Sequence, residues 1–177
     1  MTSEDGGVDR GSGQPRTQRD FRVPRVLRAA EVFFAHGGRV CGRVFLPATS
    51  ESHPGAMRAE EWINEPVGFF PFLPDGEDAP VILSKQGVLV LTVAASADQN
   101  DALEEVPVPS RHVVVECGPL RFEGEVVLDL PVDRRRVLDL LNLVPAFLNV
   151  RDGSHHHLIN KSRITRVIEP RDPVPAA

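Results

Sequence analysis

The chain has 177 residues, a net charge of −5, no tyrosine and one tryptophan, Trp62. The negative balance gives no broad electrostatic case for nucleic acid or an anionic membrane, and only phenylalanine is left to stack bases or sugars. The two cysteines, Cys41 and Cys117, fall at non-equivalent places in a pattern that occurs twice, which argues against a repeated disulfide or metal framework, and no apolar run approaches membrane-spanning length. The reading is therefore a cytoplasmic protein whose Cys41 and Cys117 are free, buried thiols.

In chain order, residues 1–30 divide into a polar tail and a lead-in. The tail is rich in Gly, Ser, Asp and Arg and lacks hydrophobic periodicity, which predicts disorder. In the lead-in, residues 21–30, Val23, Val26 and Leu27 are expected to pack on the first barrel, leaving Arg22, Arg25 and Arg28 in water. Those arginines invite comparison with the start of PilZ domains, but the spacing differs and the partner motif is missing.

Residues 31–93 read as that first small unit. A Val- and Phe-rich strand over 31–36 meets the turn signal Gly37-Gly38, and a strand over 39–46 returns with Gly42 at its middle. A mid-strand glycine suggests a sharp bend in a small, curved sheet. A helix is expected over 57–65, with Ala59, Trp62 and Ile63 as its apolar stripe, Glu60 and Glu61 outward, and Pro66 as its stop. A strand over 68–73 comes next, which Pro71 demotes towards an edge or bulge, and then strands over 80–83 and 88–93. Residues 94–110 read as a linker that ends in a Val-Pro-Val-Pro run, an extended form.

Residues 111–169 replay the pattern. Gly42-Arg43-Val44 meets Gly124-Glu125-Val126, and Trp62-Ile63-Asn64 meets Leu140-Leu141-Asn142. Phe69 meets Phe147, and Leu83-Ser84-Lys85 meets Ile159-Asn160-Lys161. Strands are expected over 112–116, 120–128, 146–150, 155–159 and 164–168, with a helix over 133–142 capped by Asp133. Residues 170–177, rich in proline, read as a second disordered tail.

Each unit is thus β-β-α-β-β-β. The expected fold is mainly β (α+β): two tandem small barrels joined by a linker. The hydrophobic-x-Lys-x-x-hydrophobic pattern of the last hairpin, at Leu83 to Val88 and again at Ile159 to Ile164, resembles the second motif of Sm proteins. The pattern as a whole looks like SH3-like and Sm-like small barrels of uncharacterised bacterial proteins. Two departures stand out: Sm proteins place their helix before the first strand, and they carry Arg-Gly where this chain has Lys85-Gln86 and Lys161-Ser162. The resemblance implies a fold and no established activity.

Candidate sites are few. His155 and His157 lie two apart on an expected strand and so share a face that could bind a metal; the alternative is an exposed edge strand blunted by polar residues. Their counterparts in the first unit are Ala79 and Val81. Arg134, Arg135 and Arg136 with Lys161, Arg163 and Arg166 form the one basic concentration, a candidate surface for an anionic ligand or nucleic acid. Asn64 and Asn142 read as left-handed helix C-caps, and Lys85 and Lys161 as turn residues. No nucleophile elbow, phosphate loop, dinucleotide fingerprint or zinc-protease motif occurs. Duplicated apolar pattern without duplicated polar chemistry points to a non-enzymatic interaction or scaffold protein that needs no cofactor. A protein partner would add to a sheet edge or meet exposed aromatics, for which Phe70 and Phe72 are the candidates.

Overall fold

The structure, a computed structural model, describes residues 24–95 and 108–170. The first segment contains β1 (Arg25–Phe34), β2 (Arg39–Pro47), α1 (Ala59–Asn64), β3 (Phe69–Pro74), β4 (Val81–Ser84), a 3-10 turn (Lys85–Gly87) and β5 (Val88–Ala94). The second contains β6 (Ser110–Cys117), β7 (Leu120–Val127), a 3-10 turn (Val132–Arg134), α2 (Val137–Leu141), β8 (Phe147–Arg151), β9 (His155–Asn160), a 3-10 turn (Lys161–Arg163) and β10 (Arg166–Ile168). The fold is mainly β, as the periodicity predicts.

All ten strands join one open antiparallel sheet in the order β10-β6-β7-β8-β9-β5-β1-β2-β3-β4. Each half contributes its strands in the same internal order: last, first, second, third, fourth. The first-to-last pairing is also alike, with Leu91 opposite Val32 in one half and Val167 opposite Val115 in the other. The halves join where β9 of the second pairs with β5 of the first, Val90 facing Ile159 and Ala94 facing His155 at the ends of the ladder. The two outer strands are β4 and β10.

Two apolar clusters fill the sheet's concavities. Val32, Val44, Leu46, Trp62, Ile63, Phe70 and Phe72 centre the first. Val113, Val115, Val126, Leu128, Val137 and Val150 centre the second. The strands at the join serve both. Leu91 of β5 and Leu158 of β9 belong to the first cluster, whereas Val90 and Ile159, one position away, belong to the second. Alternation along a strand sends neighbours to opposite faces, so β5 and β9 are buried on both sides. This accounts for the unbroken buried run of β5, Val-Leu-Val-Leu-Thr-Val, apolar but for Thr92.

The mid-strand glycines have a steric cause. A Cβ on Gly42 would collide with the Leu73 carbonyl oxygen and stand 2.7 Å from the Phe72 ring; one on Gly124 would collide with the Arg151 carbonyl oxygen. Each glycine is where the third strand of its half crosses the second at close range.

The structure departs from the sequence reading at several points. β1 starts at Arg25, inside the expected lead-in, and Val26 and Leu27 are exposed rather than packed, because β1 outruns the core beneath it. Pro71 lies on β3, second from the edge; the β2–β3 ladder runs only from Phe72 to Pro74, so the missing N–H falls where β3 has already parted from β2. α2 is shorter than expected. Asp133 lies in the preceding 3-10 turn, and Arg136 takes the N-cap position. Cys41 is exposed, since it alternates outward from the buried Gly42 and Val44. The expected disordered tails and the centre of the linker lie outside the described residues.

Candidate functional site

The face where the halves meet holds an open groove of about 960 Å³, between the ends of the two helices and the two 3-10 turns before β5 and β10. Asn64, Val67, Lys85, Val144, Phe147 and Lys161 are among its walls. Lys85 is buried, and its Nζ donates to the carbonyl of Glu65, just past α1, at 2.8 Å. Burial pushes its pKa down, with the Glu65 charge opposing. Lys161 does the equivalent for α2, donating to Leu143 O at 2.7 Å and Leu140 O at 3.4 Å. Both lysines thus supply hydrogen bonds to carbonyls that a helix end leaves open. Each starts a 3-10 turn, as its turn role requires, with its charge committed to that task.

Asn64 is not a left-handed cap, since every described non-glycine residue has negative φ. It fastens the halves together. Its Oδ1 accepts from Phe147 N at 2.8 Å, and its Nδ2 donates to Phe147 O at 3.2 Å and to Glu60 O at 2.9 Å. Asn142, its counterpart, is exposed and bonds only its own helix, donating to Leu138 O at 2.9 Å. A second tether, unforeseen from sequence, is the buried Asn160. Its Nδ2 donates to Val88 O at 3.1 Å across the join, and its Oδ1 accepts from Ser162.

The histidine run lies on β9, at the centre of the sheet and not on an edge. His155 and His157 do share a face, with ring centroids 5.9 Å apart. Both turn to Asp152 Oδ2, His157 Nε2 at 3.1 Å and His155 Nδ1 at 3.5 Å, while His157 Nδ1 meets Thr92 Oγ1 at 3.0 Å. Asp152 Oδ1 accepts from the backbone N–H of Ser154 and His155, closing the β8–β9 turn. Burial works to raise the Asp152 pKa, but these N–H donors and His157 overcome it and hold it at about 2. Among the described residues no group of three or more His, Cys, Asp or Glu side chains is placed to hold a metal ion.

His156 points the other way and is buried. Its Nδ1 lies 3.1 Å from Asn149 Nδ2 and 3.9 Å from Glu60 Oε2, and Arg151 reaches Glu60 Oε1 at 3.6 Å. Burial drives the His156 pKa down, Glu60 opposing, and the Asn149 amide donates to the neutral ring. Glu60 therefore turns to the other half and not to water as expected. Glu61 is turned inward too: it accepts from Ser50, Ser52 and His53 and folds the 48–57 loop onto α1.

The basic residues are dispersed into separate pairings, of which that of Arg163 crosses to the first half. Arg166 forms a two-bond pair with Glu116, Arg163 donates to Gln86 O, Arg135 to Leu130 O, and Arg134 lies 4.0 Å from Asp133. Of the proposed aromatic anchors, Phe70 and Phe72 are core residues; strand alternation buries them and leaves Phe69, 65% exposed, on the other face. The exposed apolar side chains are spread over the β4 end, α2 and its flanks, the groove at the join, where Val67, Leu143 and Val144 lie, and the start of β1, where Val26 and Leu27 lie. Phe69, Val81 and Ile82 lie at the β4 end, and Leu138, Leu143 and Val144 lie on and after α2. None of the described helices is long and apolar enough to cross a membrane. Comparison with family models, curated proteins and solved structures gives no match.

Proposed function

We propose that this chain is a non-catalytic interaction protein, made of two fused SH3-like units, that works through the two ends of its sheet. The observation that carries the reading is the segregation of side chains. Phe69, Val81 and Ile82 are exposed at the β4 end and Val132 and Leu138 before and on α2, while the chemistry-bearing groups are committed to internal bonds. Lys85, Lys161, Asp152, His157 and Asn64 each hold a turn, a helix end or the join. The duplicated order last-first-second-third-fourth supports the fused-unit part of the reading. A protein surface that presents Phe, Ile and Leu side chains beside an unpaired strand suits a partner that adds a strand and covers the apolar rim.

The test is photo-crosslinking in the cells that make the protein. A photo-reactive residue is placed at Ile82, at Leu138, or at His36 as a control in the exposed β1–β2 turn. Discrete adducts at the first two positions and none at the third are expected. Adduct-free protein at both ends ends the proposal.

A further inference from the structure

The two ends of the sheet are related to each other through the join in the middle. There, the last strand of the first half, β5, pairs with the fourth strand of the second, β9. The free edges are the same two kinds of strand, with the halves exchanged: β4 is the fourth strand of the first half and β10 the last strand of the second. Resting on the fused-unit reading above, we infer that the chain associates head to tail with further copies of itself, β4 of one copy pairing with β10 of the next and Phe69 docking under α2.

Side chains at the free ends correspond, position by position, to those at the join. Phe147 and Leu158 are 4% and 0% exposed where the halves meet; their counterparts Phe69 and Ile82 are 65% and 66% exposed. Register carries across as well. Val90, Leu91 and Thr92 face Ile159, Leu158 and His157, so Arg166, Val167 and Ile168 would face Leu83, Ile82 and Val81 of the next copy. Asn64 clasps the backbone of Phe147; Asn142, exposed and bonded only within α2, stands in the same place for Phe69 of the next copy.

The polar contacts between side chains at the join, Thr92 with His157 and Glu60 with Arg151 and His156, offer a stricter comparison, because both members change together. Thr92 bonds His157 at the join, and the corresponding pair across the ends is Ile168 with Val81. Glu60 meets Arg151 and His156 at the join, and the corresponding set is Leu138 with Leu73 and Pro80. In these two sets polar faces polar inside one chain and apolar would face apolar between chains; outside them, Arg166, which keeps Glu116 as its partner, would face Leu83 where Val90 faces Ile159 at the join. Neither set places a polar side chain against an apolar one, which would leave the polar member without a charged or polar neighbour; Glu60 Oε2 makes no hydrogen bond at the join but faces His156 at 3.9 Å. The same comparison favours a second copy over an unrelated partner, since the register and both contact sets are already encoded in this sequence. Such a contact is heterologous, with different surfaces on the two copies, so it builds a closed ring or an open row.

The experiment is sedimentation and light scattering on the full chain over a wide concentration range, with two surface variants. Ile82→Asp disables the β4 end, and Leu138→Asp disables the α2 end; both positions are largely exposed, and circular dichroism checks that each variant folds. The parent is expected to grow in mass with concentration. Each variant alone is expected to stay monomeric, and an equimolar mixture is expected to stop at a dimer, because only one productive pair of faces remains. A parent that is monomeric at every concentration overturns the inference, as does a mixture that stays monomeric or a parent assembly that both variants leave intact. Crosslinks at Ile82 to a different protein, with a monomeric parent, would sink self-association and leave the interaction reading standing; absence of any crosslink would sink both.

Discussion

Asn64 shows how one side chain joins the two halves. It bonds both the N–H and the carbonyl of Phe147, so removing it strands two partly buried backbone groups at once. Asn64→Ala is expected to cost about 1–3 kcal/mol in urea unfolding, as buried unsatisfied groups do. Asn142→Ala, with its amide bonded only within α2, is expected to stay within about 0.5 kcal/mol for the isolated chain. The glycines make a second prediction at this scale. Gly42→Ala or Gly124→Ala drives a methyl into the backbone of the crossing strand, and a loss of about 1–3 kcal/mol or more is expected for each. The sequence marked both positions through their equivalence, but it read them as bends, and only the crossing strand gives the steric reason.

Among the elements, α1 is the anchor, burying Ala59, Trp62 and Ile63, whereas α2 buries Val137 alone. Trp62 is buried and meets Phe70 edge to face with centroids 5.2 Å apart. Trp62→Ala is expected to destabilise the fold by about 3–5 kcal/mol, the range for large aromatic deletions. Asp133, which the sequence pattern nominates as a helix cap, lies exposed in a 3-10 turn; Asp133→Ala is expected to change stability by less than about 0.5 kcal/mol. Local pattern made the strands and the α1 stripe readable because period-2 and period-3.6 signals are intrinsic to each segment. It placed β9 at an edge because three histidines look solvent-facing. β9 is interior because β5 pairs with it across more than 60 residues of sequence, and the His156 side chain is covered where Glu60 of α1 meets it. The docking residues were misassigned by one step: Phe69, Phe70, Pro71 and Phe72 are all apolar, so the segment alone does not tell which face is outward.

At the scale of the whole molecule, the halves share strands. Phe147 and Leu158 of the second half complete the first core, while Leu89 and Val90 of the first complete the second. One cooperative transition is expected in urea, and a fragment ending before β6 is expected to stay unfolded because its β5 would expose an apolar face. Acid should weaken the fold in two stages. The folded pKa of His156 lies below its ordinary value, so the unfolded chain takes up the proton first and stability falls as pH drops through that range, beginning near 6.5. Asp152 is held at about 2 and Glu61 also lies below its usual value, so a further loss sets in as pH falls below the ordinary carboxylate range. Urea midpoints from pH 8 to 3 check both stages, and His156→Asn is expected to remove the first.

Trp62 has an optical consequence. It is the chain's one indole, no tyrosine competes with it, and it sits two residues from the Asn64 clasp. Its fluorescence therefore reports on a single location, the first core beside the seam. If that emission shifts at the same urea concentration at which far-ultraviolet ellipticity is lost across all ten strands, the two cores melt as one body. An earlier shift would mean that the first core opens while the remaining strands hold.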